Sequence, residues 1–136
     1  MKLTLYSDYS LRVLMYIARK DERVQIEEIA KFYGISKNHL TKVVNNLATL
    51  GYIETTRGRG GGMKIKIQPE DINIGKLIRK TEETLTIVEC FDRETNTCPI
   101  AGMCGLQGVL GEALAAYMAV LDKYTLEDVL LQKIKL

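Results

Sequence analysis

The sequence predicts a mainly α-helical protein with a small β-hairpin: a winged helix-turn-helix followed by a long C-terminal helix suited to dimerisation. Three observations predict it. Two helical segments meet at a tight Gly-Ile-Ser turn, residues 34–36. Next, YIETT and MKIKIQ alternate apolar and polar residues around the glycine-rich RGRGGG, the pattern of a hairpin. Finally, the segment from Gly105 to about Tyr124 carries two apolar stripes at helical spacing. The chain of 136 residues divides into a winged helix-turn-helix at 1–68 and a second part at 69–136, expected to pack as one compact unit.

The first helix is expected to begin near Ser7 or Asp8, either able to cap it, and to bury Leu11, Leu14, Met15 and Ala18. After the polar KDERVQ, the short helix IEEIAKFY presents Ile26, Ile29, Ala30 and Tyr33 on one side and stops at Gly34. Ser36 caps a third helix that buries Leu40, Val43, Val44, Leu47 and Leu50 and closes at Gly51. The hairpin then forms the wing, with RGRGGG as its tip. Beyond Pro69, Asn73 caps INIGKLIRKTEE, and TLTIV is short and β-prone. In the long helix one stripe runs through Leu106, Leu110, Leu114, Tyr117 and Leu121, the other through Val109, Ala113, Ala116 and Val120. One stripe buries the helix on its own domain, so the second implies another surface, most simply the same helix of a partner subunit. The small Gly108, Gly111, Ala115 and Ala119 would let two backbones approach closely. Thr125 caps a last short helix with Asp128 in the capping-box position. The chain shows no internal repeat and no disordered tail is expected.

Composition bounds the function. No apolar run approaches the ~18 residues of a membrane span, and MKLTLYSDYSLRV lacks the apolar core of a signal peptide, so a cytoplasmic protein is expected. Residues 1–68 hold twelve Lys/Arg against six Asp/Glu, a net of +6, whereas residues 69–136 hold seven against eleven, a net of −4. The basic half suits a polyanion. An enzyme is not expected. There is one histidine, no nucleophile–base signature, and RGRGGG lacks the Lys-Ser/Thr that completes a phosphate-binding loop.

Winged helices place the third helix in the DNA major groove and the wing over the adjacent minor groove or backbone. Ser36, Lys37, Asn38, His39, Thr41 and Lys42 occupy the leading polar face of that helix, with Asn and Lys suited to base edges and Ser, Thr and Lys to phosphates. Arg57 and Arg59 flank the wing tip, where an arginine can enter a narrow minor groove, and glycines such as Gly60 let the hairpin approach the duplex. Double-stranded DNA is therefore the expected partner. His39 is expected to face solvent or DNA.

All three cysteines fall within CFDRETNTCPIAGMC, as Cys90-x7-Cys98-x5-Cys104. Their odd number disfavours a disulfide framework. Zinc sites prefer pairs two to four residues apart, whereas iron–sulfur clusters take thiolates at more varied spacings, and Pro99, Gly102 and Gly105 let the loop wrap a bulky core. Three alternatives stand beside the cluster: a repressor switched by thiol redox, a zinc-stabilised winged helix, and three inert buried cysteines.

Together LYSDYSLRVL, ISKNHLTKV, the RGRGGG wing, QPEDINIG, VECF and VLDKYTL resemble the family of winged-helix iron–sulfur regulators that includes the nitric-oxide-sensing NsrR type and the IscR type. The resemblance covers about residues 1 to 131. It implies a homodimeric transcriptional repressor that binds a palindromic operator and holds one cluster per subunit, releasing DNA when nitric oxide nitrosylates the cluster. It also implies that Cys90, Cys98 and Cys104 are the thiolate ligands, and that Asp8 of the other subunit supplies the fourth. The cluster implied is 4Fe-4S, with 2Fe-2S also known in the family. IscR-type members carry a histidine three residues after the third cysteine; Gln107 stands there in this chain, which argues against that mode of ligation.

Overall fold

The structure, a computed structural model, describes residues 1–130. Helix α1 spans Leu5–Ala18, and Thr4 rather than Ser7 or Asp8 caps it, its Oγ1 accepting the Ser7 N–H at 3.2 Å. The expected start was late because Ser7 is spent inside the protein: it is fully buried, with Oγ 2.7 Å from Thr81 Oγ1. Val13, Leu14, Tyr16 and Ile17 form the buried face, while Leu11, Met15 and Ala18 are half-buried. The face is turned from the expected one because this helix packs on two sides at once.

Helix α2 (Ile26–Tyr33) ends at Gly34, whose φ of +65° is the left-handed stop a helix of this kind requires. Helix α3 (Lys37–Thr49) is capped by Ser36 Oγ, which accepts the His39 N–H at 3.2 Å; it buries Leu40, Val43, Val44 and Leu47 and leaves Leu50 half-buried. Strands β1 (Ile53–Thr56) and β2 (Gly62–Ile65) pair antiparallel from Ile53 opposite Ile65 to Thr56 opposite Gly62. Val24 adds a rung beside β2, its N–H donating to Met63 O at 2.9 Å and its carbonyl accepting the Met63 N–H at 2.8 Å.

Helix α4 (Ile74–Thr81) is capped by Asn73 as expected, Oδ1 accepting the Lys76 N–H at 2.9 Å. The β-prone run at 84–88 forms no strand. Thr84 folds back on itself, its Oγ1 accepting the Thr86 N–H at 3.0 Å, and among the described residues the two-stranded hairpin is the only sheet. Helix α5 spans Gly105–Leu121, stopping short of Tyr124, where Asp122 turns to a two-pronged ion pair with Arg79. Helix α6 (Leu126–Val129) has the expected Thr125–Asp128 capping box. The tail beyond 130, about which no disorder was expected, lies outside the described residues.

One cluster of buried side chains joins the two ends of the chain: Leu14, Ile17, Leu40 and Leu47 pack in the same core as Ile72, Leu77, Ile78, Met118 and Leu126. Helix α1 lies between α3 and α4, and α4 in turn rests on α5. The inward line of α5 is the buried Met118 with the half-buried Leu110, Leu114 and Leu121, a correction to the expected stripe: Leu106 is 63% and Tyr117 39% exposed, whereas Met118 is 5% exposed. Tyr117 and Met118 stand three and four residues after Leu114, so helical spacing alone admits either. The second stripe does face outward, with Val109 62% and Val120 51% exposed. Among the described residues, no helix is long and apolar enough to cross a membrane.

Candidate nucleic-acid interface and cysteine loop

The Gly34 stop and the Ser36 cap orient α3 so that Ser36, Lys37, Asn38, His39, Thr41 and Lys42 all lie exposed on one end of the molecule. Not every charge there is free. Lys37 Nζ bonds Glu27 Oε1, and that hydrogen bond is the main reason the Glu27 carboxyl is held below its ordinary range. Thr41 Oγ1 donates to Lys37 O at 2.8 Å. The His39 ring lies 6.4 Å from that of Tyr9, on the α1–α3 side of the fold.

Arg57, Arg59 and Gly60 are exposed at the wing tip, where the Gly61 N–H closes the turn on Gly58 O at 3.0 Å. Between wing and α3 runs an open cleft of about 390 Å³, lined among others by Gln25, Thr41, Asn45, Thr56 and Arg57. Sequence reasoning missed Gln25, Asn45 and Thr56. Asn45 was accessible to it, standing four residues after Thr41 on the same helical face. Gln25 carries no signal of this contact, since its position follows from the bridge that sets the segment before α2 beside β2.

Cys90 lies in the single helical turn Glu89–Phe91, and Cys104 immediately precedes α5. All three thiols are free and half-buried. Side chains lace the loop between them. Asp92 Oδ1 accepts the Glu94 N–H at 3.0 Å and Oδ2 the Thr95 hydroxyl at 2.7 Å, and Asn96 Oδ1 accepts the Cys98 N–H at 3.0 Å. Gln107 holds both ends: Nε2 donates to Cys90 O at 3.0 Å, and Oε1 accepts the Gly102 N–H at 2.8 Å.

The donor set fits an iron–sulfur group in its chemistry, three unpaired thiols on one loop with a left-handed turn at Gly102 (φ +86°). Its arrangement here is open: among the described residues, no three His, Cys, Asp or Glu side chains gather closely enough to hold a metal ion. Asp8 stands apart from the cysteines on α1, in a two-point pair with Arg12, Oδ2 to Nη2 at 2.9 Å and Oδ1 to Nε at 3.0 Å. That hydrogen bond is the chief cause of the raised Arg12 pKa. The same guanidinium lies 5.6 Å from the Tyr33 ring centre and 6.0 Å from that of Tyr9.

The family model described as Rrf2, iron-dependent transcriptional regulator, matches residues 3–132. The chain is 58% identical over 135 residues to the HTH-type transcriptional regulator NsrR of Bacillus subtilis (strain 168), covering 98% of this chain and 92% of that relative. It is 53% identical over 135 residues to the regulator of the same name in Bacillus licheniformis, covering 98% and 94%. Among solved structures, CymR, the global cysteine regulator of B. subtilis, superposes with a TM-score of 0.78 at 24% identity over 98% of this chain and 99% of that one. IscR of T. potens superposes with a TM-score of 0.76 at 23% identity over 96% and 86%. At that identity the two structures establish the fold, a winged helix.

Proposed function

Since the chain belongs to the Rrf2 family of transcriptional regulators, we propose that it is a cytoplasmic homodimeric repressor that binds operator DNA while its cysteine loop holds an iron–sulfur cluster, and lets go when nitric oxide reaches that cluster. The observation that carries the reading is the pairing, in one small fold, of an exposed basic helix and wing with three free thiols on a single loop. Cys90, Cys98 and Cys104 would hold the cluster, 4Fe-4S by resemblance and 2Fe-2S as the other form. The cluster would supply iron open to nitric oxide.

The chain's own residues carry the state of the loop to DNA. The loop runs directly into α5, α5 rests on α4, α4 on α1, and α1 on the recognition helix α3. Phe91 lies within 4.0 Å of where a side chain at Gly111 would begin, so the loop's start packs on α5 with no side chain between. Asp8, the proposed fourth ligand from the second subunit, would have to leave Arg12, which would keep its contacts to the rings of Tyr9 and Tyr33. The exposed Leu106, Val109, Tyr117 and Val120 of α5 supply the apolar face for the second copy. Ser36, Lys37, Asn38, His39, Thr41, Lys42, Arg57, Arg59 and Gly60 would meet the operator.

The test is the absorption spectrum of protein purified without air, with iron and sulfide assayed in parallel and nitric oxide titrated in. A broad band near ~400 nm that nitric oxide bleaches, with iron and sulfide both present, supports the reading, and their stoichiometry separates the two cluster types. Colourless protein, empty of iron and sulfide, that still binds DNA would overturn it in favour of thiol redox or zinc.

A further inference from the structure

We propose that Gln25 is a positioning residue for DNA binding: its Nε2 donates to Gly61 O at 2.6 Å and thereby sets how far the wing stands from the recognition helix α3. The inference rests on the reading that Arg57 and Arg59 contact the duplex. If α3 occupies a major groove and the wing the adjacent minor groove, one sugar–phosphate strand must run between them. The cleft of about 390 Å³ lies on that path, and Asn45 and Thr56 offer neutral donors along it. Its width therefore decides whether helix and wing can engage the duplex together.

Three ties hold the wing to the body, one of them an ion pair from Arg23 to Glu54 Oε1 of β1 at 3.2 Å. In the outer half of the hairpin, one residue in from the last pair Thr56–Gly62, the Val24–Met63 rung fixes β2 through two backbone hydrogen bonds. Further out, Gln25 reaches Gly61, and beyond that contact stand only the tip residues 57–60 that carry both arginines. Gly62 makes room for the contact, and Gly61 for the tight turn that presents its carbonyl. A Cβ on Gly62 would lie 2.8 Å from Val24 O and 3.0 Å from Gln25 Nε2, and one on Gly61 would lie 2.3 Å from Thr56 O. Gln25 is itself held, being the residue just before α2, with its N–H directed to Glu28 Oε1 at 3.4 Å. A side chain fixed on the helix-turn-helix thus grips the bare backbone of the wing. Loss of one such hydrogen bond leaves the tip to hinge about the Val24–Met63 rung.

The experiment is a double-mutant cycle on the full chain purified without air, read as affinity for a duplex that the unaltered protein selects from a random-sequence library. Gln25→Met keeps length and bulk but removes the donor. It is expected to weaken binding by about tenfold, the worth of one hydrogen bond and the ordering it maintains. In that background the paired change Arg57→Ala, Arg59→Ala should cost much less than it does alone, whereas Asn38→Ala on α3 should cost the same in both. Unaltered affinity in Gln25→Met overturns the proposal. So does an undiminished cost of the arginine pair, or an Asn38→Ala cost that also falls, which would mark general loosening. If the arginine pair costs nothing even in the unaltered chain, the reading of the wing fails first, and the role of Gln25 falls with it.

Discussion

The carboxylate of Glu82 accepts two hydrogen bonds from Thr4, one from the backbone N–H at 2.8 Å and one from the hydroxyl at 3.0 Å. Glu82 closes α4 and Thr4 opens α1, so one side chain joins the end of the first to the start of the second. Behind it, Ser7 and Thr81 make their buried contact. The segment that leads on to Cys90 leaves from this same point. Any displacement of the cysteine loop that pulls on residue 82 is therefore felt at the first turn of α1, the helix on which α3 rests.

The latch makes stability depend on pH. Burial acts to raise the Glu82 pKa from its ordinary 4.5, and hydrogen bonds from Ser7 and Thr4 outweigh it, so the folded value is lowered. A lowered carboxylate stabilises the fold above its ordinary value, and the gain is lost as pH falls through the folded one. Glu82→Gln should cost about 0.5–1 kcal/mol at neutral pH, discounted because the site is partly open to solvent. The gap between variant and parent should close in acid. Urea unfolding on both sides of the glutamate range checks this, and a gap that stays constant would refute it.

At the buried contact the two partners are not equivalent. Thr81 Oγ1 also reaches Leu77 O at 3.1 Å, so Ser7→Ala leaves it a partner. For Ser7 the fallback partners are the Glu82 carboxylate, which Thr4 already occupies, and Thr4 Oγ1 at 3.4 Å. Thr81→Val should therefore cost more than Ser7→Ala, about 2 against about 1 kcal/mol, and the double variant less than their sum. Equal costs in denaturant titration would contradict the assignment.

What could be read from the sequence was local. Asn73, Thr125 with Asp128, Ser36 and Gly34 announce helix ends because a cap acts within four residues of itself. The hairpin was visible for the same reason. Features set by distant partners were not: Ser7 reads as a cap until Thr81, 74 residues away, is seen to claim it. Met118 and Tyr117 are interchangeable by spacing, and only the position of α4 chooses between them. The cysteines were conspicuous as a group, yet the link by which Gln107 reaches back 17 residues to Cys90 is one that no periodicity contains.

Gly61 tests whether the wing's shape matters separately from its charge. Gly61→Ala places a Cβ against the backbone oxygens of Thr56 and Gly58, so the hairpin must open rather than a side chain move aside. Operator affinity should fall at least tenfold while the unfolding midpoint, set by a core that excludes the wing tip, changes little. Native affinity in this variant would show that the tip tolerates rearrangement.

The outward stripe of α5 makes a prediction about assembly. Val109→Glu with Val120→Glu puts two charges on a face that is already exposed in the single chain, so the fold should survive. In sedimentation the parent is expected to run as a dimer and the variant as a monomer. A variant that remains dimeric would place the second copy elsewhere.

Gln107 braces the cysteine loop through Gly102 and Cys90, and removing it should be visible in the loop's own backbone. The Gly102 N–H is bonded to Gln107 Oε1 and would face solvent without it. Gln107→Ala should speed hydrogen exchange at Gly102 and expose the segment between Cys90 and Cys104 to protease, while amides in α1 and α3 exchange as before. The reason is positional: the amide group of Gln107 spans the mouth of the loop from Cys90 O to Gly102, and the bonds of Asp92 and Asn96 order only the turns inside it. A loop freed at its mouth can bring its thiols together or let them drift. If exchange at Gly102 were unchanged, the loop would be held by its inner turns alone, and Gln107 would have no part in ordering it.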